Sequence, residues 1–126
     1  MTTRDVTGGW EGIYNYPRSL PPNGFVADLV EQAGALSGEI AERDEAGAAI
    51  DAIVEGERIG SGVRFTKRYV DGARAHLVLY TGTLSLEGDE IVGEWSIPGV
   101  WSGSFIMVRQ SAKAAEVERH AAVEAR

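Results

Sequence analysis

Ile91-Val-Gly-Glu-Trp-Ser-Ile97 and Trp101-Ser-Gly-Ser-Phe-Ile-Met-Val-Arg109, joined by Pro98-Gly-Val100, are the stretch whose reading decides the fold. Each run sets its larger apolar side chains on one face at every second residue, which is the period of a strand. The Pro98-Gly99 break between them reads as a hairpin. Each run also carries a glycine in its middle, Gly93 or Gly103. A glycine inside a strand weakens it unless the backbone must bend sharply or approach something closely. Small closed barrels have such bending points.

The same pattern extends back along the chain. Alternating segments run from Trp10 to Tyr16, Phe25 to Val30, Leu36 to Ala41, Ile50 to Ile59, Val63 to Val70 and His76 to Leu84. Turn signals separate them: Pro17 to Gly24, Gly34, Asp44 to Gly47, Gly60-Ser-Gly62, Asp71-Gly72 and Glu87-Gly-Asp89. Eight short strands with a turn every 8–12 residues or so indicate an all-β sandwich or barrel. Interior glycines recur at Gly12, Gly38, Gly56, Gly82, Gly93 and Gly103, which favours closure over a sandwich. The expected fold is an all-β, eight-stranded antiparallel up-and-down barrel over residues 1–110. An alanine- and glutamate-rich tail, 111–126, reads as helical, with Ser111 as its N-cap.

Composition narrows the function. The 126 residues carry 12 Lys+Arg against 19 Asp+Glu, a net charge of -7. Nucleic acid and anionic membrane surfaces are therefore poor partners. With no cysteine and two histidines, neither a disulfide nor a thiolate metal site is available, and no cofactor or metal is expected. No apolar leader or membrane-length run is visible, so the expected location is cytoplasmic.

Period two assigns the faces. The glycine-bearing face of each strand points inward and carries Trp10, Tyr14 and Tyr16, then Ala52, Val54 and Arg58, then Val63, Phe65, Lys67 and Tyr69. It continues with His76, Val78, Tyr80 and Leu84, then Ile91, Trp95 and Ile97, then Trp101, Phe105, Met107 and Arg109. Asp51, Glu55 and Glu57 fall outward opposite Arg64 and Arg68, as a solvated cross-strand surface should. Within the inward set, Tyr14, Lys67, Tyr69, His76, Tyr80, Trp95 and Arg109 are the candidate ligand-binding residues. A dry core does not choose lysine or arginine. An apolar aromatic floor under a cationic, phenolic mouth suits a small amphipathic or anionic molecule. The competing reading has Lys67 and Arg109 snorkelling outward at strand ends. His76 has no carboxylate or nucleophile beside it in the sequence, and Gly60-Ser-Gly62 lacks the lysine and helix of a phosphate loop. No catalytic residue is assigned.

Six apolar residues fall on the outward set: Ile13, Leu77, Leu79, Val92, Ile106 and Val108. An exposed apolar patch is usually covered, so a homo-oligomer, dimer or tetramer, is expected there. The alternatives are a protein-interaction or inhibitor domain, or a cofactor-free isomerase or cyclase using tyrosine, Lys67 and His76.

Gly9-Trp10-Glu11-Gly12-Ile13-Tyr14 resembles the opening Gly-x-Trp strand of calycin-type barrels: avidins, lipocalins and fatty-acid-binding proteins. Eight hairpin-linked strands look most like the avidin-like barrel. The resemblance covers residues 8–109 and implies association through the outer faces of strands six to eight. It does not carry biotin binding, because Asn15 stands three positions beyond Gly12 with no serine following. Nor does it carry haem binding, which needs a histidine on the last strand.

Overall fold

A computed structural model describes residues 5–17, 22–43, 47–70 and 77–110. Eight antiparallel strands follow one another around a closed barrel: β1 (Gly8–Tyr14), β2 (Asn23–Gln32), β3 (Ala35–Arg43), β4 (Ala49–Ile59), β5 (Gly62–Tyr69), β6 (Leu77–Leu84), β7 (Glu90–Ile97) and β8 (Trp101–Arg109). β8 closes onto β1 with Trp10 opposite Arg109 and Tyr14 opposite Phe105, so no strand edge is left open. The up-and-down barrel read from the alternation is the observed fold. The helix expected over 111–126, and His76, lie outside the described residues.

The interior glycines sit where a side chain has no room. A Cβ on Gly93 would meet the Thr81 carbonyl and the Gly82 backbone across the β6–β7 pair. One on Gly103 would meet the Asn15 carbonyl and the Trp95 indole, and one on Gly12 would enter the Phe25 ring. At the β2–β3 hairpin, Ala33 and Gly34 both hold positive φ, 53° and 86°. That is the twist a two-residue hairpin requires, and Ala33 adopts it despite its Cβ.

The interior follows the predicted phase. Trp10, Tyr14, Phe65, Lys67, Tyr80, Trp95, Phe105 and Met107 are all buried. Outside, Glu57 faces Arg64 across β4–β5 at 3.8 Å. The outer apolar row is narrower than expected. Ile13, Ile106 and Val92 are direct cross-strand neighbours, with Val108 beside them across from Glu11 and Glu90. Leu77 and Leu79 do not join that row, because the Thr81–Glu94 pair separates Leu79 from Val92. The row instead runs the other way, over β1 to Val26 and Ala41, and lines an open groove of about 770 Å³.

Candidate functional site

The two ends of the barrel differ in chemistry. One end collects the β2–β3, β4–β5 and β6–β7 turns and the segment before β1. The other carries the last residues of β1, β3, β5 and β7 and the first residues of β2, β4, β6 and β8.

The first end is latched shut. Val6 and Trp10 are fully buried, and the indole Nε1 donates to the Val6 carbonyl at 2.9 Å. The Arg109 guanidinium lies 4.5 Å from the Trp10 ring centre. It donates to three carbonyls, Gly88 at 3.0 Å, Thr7 at 2.8 Å and Asp5 at 2.9 Å. A bidentate pair closes the same end, with Arg58 Nε and Nη2 on Glu31 at 2.6 and 2.7 Å. Glu31 also accepts from the Val6 amide. The Arg58 hydrogen bonds hold the Glu31 carboxyl below its usual range. Arg109 thus points inward as expected, but it does not join Lys67. Its cation, its stacking and its donors are all engaged in the latch.

The second end carries the candidate site. Its floor is aromatic: Phe65 and Tyr80 stack at 4.7 Å, and Phe105 and Phe25 meet Tyr80 edge-on at 5.0 and 6.4 Å. Above it, β5 delivers Lys67 to the axis with 1% of its surface exposed. Three tyrosine rings surround the ammonium, Tyr69 at 4.8 Å, Tyr14 at 4.9 Å and Tyr80 at 5.6 Å. Electron-rich ring faces stabilise a cation in this way, as aromatic cages do for ligand cations. β3 brings the counter-charge: Lys67 Nζ lies 3.4 and 3.5 Å from the two Glu42 oxygens. Tyr14 donates to Glu42 Oε2 at 3.0 Å and accepts from Asn23 at 2.7 Å and Tyr16 at 3.4 Å.

Burial pushes the Lys67 ammonium down, and the Glu42 charge only partly opposes it. Burial, with the Tyr16 hydrogen bond and the Glu42 charge, pushes the Tyr14 phenol far above its ordinary value. Tyr80 moves the same way, first from burial and then from Glu42. Both phenols therefore stay protonated through neutral pH.

The rim lies above. Tyr16 packs on Trp101 at 5.1 Å and on Trp95 at 5.9 Å, and the two indoles meet edge-on at 5.9 Å. Trp95 Nε1 is fixed by the Asn15 carbonyl at 2.9 Å, while Trp101 is exposed. Of the residues expected to bind a ligand, the structure brings together Tyr14, Lys67, Tyr69, Tyr80 and Trp95. Arg109 is at the opposite end, and His76 is outside the described residues.

Two findings change the expected chemistry. The mouth is not cationic, because Glu42 neutralises Lys67. Below Lys67 the buried rings of Phe65, Tyr80, Phe105 and Phe25 pack against one another, so the expected floor is a packed aromatic cluster. Glu42 was missed because the third segment was ended at Ala41. Carrying its own phase onward, Leu36, Gly38, Ile40 and Glu42, places that carboxylate inside. Glu31 was missed in the same way, one residue past the second segment. Among the described residues no cluster of three or more His, Asp or Glu side chains is placed to hold a metal ion.

No family model and no curated protein matches this chain. Two solved structures share its fold. A redesigned β-barrel superposes with a TM-score of 0.72 at 11% identity, over 84% of this chain and 92% of that one. A de novo designed fluorescence-activating β-barrel superposes with a TM-score of 0.62 at 16% identity, over 82% of this chain and 93% of that one.

Proposed function

We propose that this chain is a non-enzymatic binding barrel of avidin-like kind. It takes a small, neutral, amphipathic aromatic molecule at the tyrosine-lined end and associates with itself through its outer face. One observation carries the binding reading. A charge pair and three phenols are gathered at the end of the barrel where Tyr16 and Trp101 form an aromatic rim, and the other end is latched by Arg109. A structural core needs neither ion at this position, since a well-packed apolar replacement of a buried ion pair is often as stable or more stable. A flat ring between Tyr16, Tyr69 and Trp101, with its polar group toward Tyr14 and Tyr80, uses both layers. The ligand class shifts from amphipathic or anionic to amphipathic and neutral, because the site holds one cation and one anion.

The avidin-like reading is supported by the Gly-x-Trp opening and by the strand order. A designed barrel of the same architecture is fluorescence-activating, which is compatible with a small-molecule-binding role for this fold. Self-association is supported by the exposed Val92, Val108, Ile13 and Val26, with half-buried Ile106 between them, and by the groove beside them.

The binding reading is tested by thermal shift against naphthols and hydroxyquinolines. A ligand present at a hundred times its Kd stabilises by about 2.7 kcal/mol. Saturable stabilisation by members of this panel, reduced in Tyr80→Phe, is the expected outcome. No stabilisation by any member at millimolar concentration refutes it.

A further inference from the structure

We infer that Lys67 is a covalent capture point for aromatic aldehydes, which condense with its Nζ to a protonated imine held by Glu42. The inference rests on the rim site proposed above and adds the reactive group of its ligand.

Four observations converge on Nζ. The chain has two lysines, Lys67 and Lys113, and Lys67 is the one among the described residues, on β5. Its ammonium is loosely held: 3.4 and 3.5 Å to Glu42 are long for a charge-assisted hydrogen bond, which is usually about 2.7–2.9 Å. Burial favours its neutral, nucleophilic form, the condition that lysines forming Schiff bases require. Finally, the surroundings suit the product. An iminium is a planar cation, and the ring faces of Tyr14, Tyr69 and Tyr80 that now surround the ammonium would surround it equally.

Glu42 and Tyr80 complete the reaction without any further reagent. The ammonium first gives a proton to the Glu42 carboxylate. The freed nitrogen lone pair attacks the carbonyl carbon, a C–N bond forms, and the carbonyl π pair moves onto oxygen. A proton passes from nitrogen to that oxygen, giving a neutral carbinolamine, with the Tyr80 side chain, whose ring lies 5.6 Å from Nζ, as the nearby phenol. The Glu42 carboxyl then protonates the carbinolamine hydroxyl and the C–O bond breaks. Water leaves as the nitrogen lone pair forms C=N. Ammonium plus aldehyde becomes iminium plus water, with charge unchanged and Glu42 again a carboxylate beside the cation.

The full chain is incubated with hydroxynaphthaldehyde and sodium cyanoborohydride near neutral pH, and adducts are mapped by peptide mass spectrometry. The matching hydroxymethyl naphthol, which has no carbonyl, is titrated in parallel. The expected result is a single reduced adduct on Lys67 in preference to Lys113 and the N-terminus. The unreactive alcohol should block it at Lys67 while leaving any Lys113 adduct unchanged. Lys67→Arg keeps a cation beside Glu42 and should lose the adduct; the blocking experiment stands on its own if that variant does not fold. Adduct confined to Lys113 or the N-terminus, with the alcohol still binding, overturns the inference and leaves the rim site intact. If neither the alcohol nor the aldehyde binds, the rim site and the inference fall together.

Discussion

Replacing Glu42 by glutamine removes the counter-charge of Lys67 while keeping the side chain's shape and its acceptor for the Tyr14 hydroxyl. The Lys67 and Glu42 side chains are each only 2% exposed, so water cannot take the carboxylate's place. Breaking a buried pair from one side costs about 3–5 kcal/mol. A domain of this size has roughly 5–15 kcal/mol in total. At a few degrees per kcal/mol, the melting temperature should fall by roughly 10–20 °C. The loss should also depend on pH in a definite direction. Burial already holds the folded-state Lys67 below the ordinary value of a lysine, so the unfolded chain binds more protons between the folded and the ordinary value. Stability contributed through Lys67 therefore rises with pH over that window. Without Glu42 the folded-state value drops further, so the deficit of Glu42→Gln should be largest in mild acid and shrink toward the alkaline side. A double change, Glu42→Leu with Lys67→Met, should recover most or all of the loss, since apolar packing replaces the pair. Thermal melts of the three proteins across pH decide it. A Glu42→Gln protein within about 1 kcal/mol of the parent, the size of an exposed pair, would show that the network is wet and that the site is misread.

The remaining predictions concern the frame around the site. Gly93→Ala places a Cβ against the Thr81 carbonyl and should cost several kcal/mol or prevent folding, whereas Gly47→Ala, where a Cβ meets nothing within 4 Å and only the left-handed backbone at φ 84° opposes it, should keep the fold at a cost of about 1–2 kcal/mol; urea denaturation compares them. Ala33→Gly relieves a left-handed alanine and should stabilise by up to about 1 kcal/mol in the same assay. Arg109→Met strips three carbonyls of their donor and should lower stability by roughly 2–4 kcal/mol while leaving ligand affinity at the other end unchanged. Glu31 lies below its unfolded value, so its stabilisation is present above the ordinary carboxylate range and is lost as pH falls through the folded value; Glu31→Gln should flatten that acid limb in melts. Ile13→Glu should yield a folded monomer by sedimentation, and a parent that is already monomeric at micromolar concentration refutes self-association.

How far the sequence could be read depended on period. Alternation and glycine spacing were sufficient for the strand count, the closure and the inward set from Trp10 to Met107, because each is a local property of one strand. What depended on register between strands was not legible. Leu79 and Val92 both point outward, but only pairing shows Thr81 and Glu94 lying between them. Arg109 and Lys67 both point inward, but only strand direction puts them at opposite ends. Glu42 was within reach, since its phase matches Ile40. The third segment, read as ending at Ala41, stops one residue short of it, and its partner lies two strands away on β5.

The three tryptophans make the most direct test. Trp95 and Trp101 belong to the rim, and Trp10 lies under Arg109 at the far end. In a titration with a naphthol that stabilises the protein, followed by NMR, the indole N–H signals of Trp95 and Trp101 should shift saturably while that of Trp10 stays fixed. Equal movement of all three, or movement of Trp10 alone, would contradict a binding site at the tyrosine-lined end.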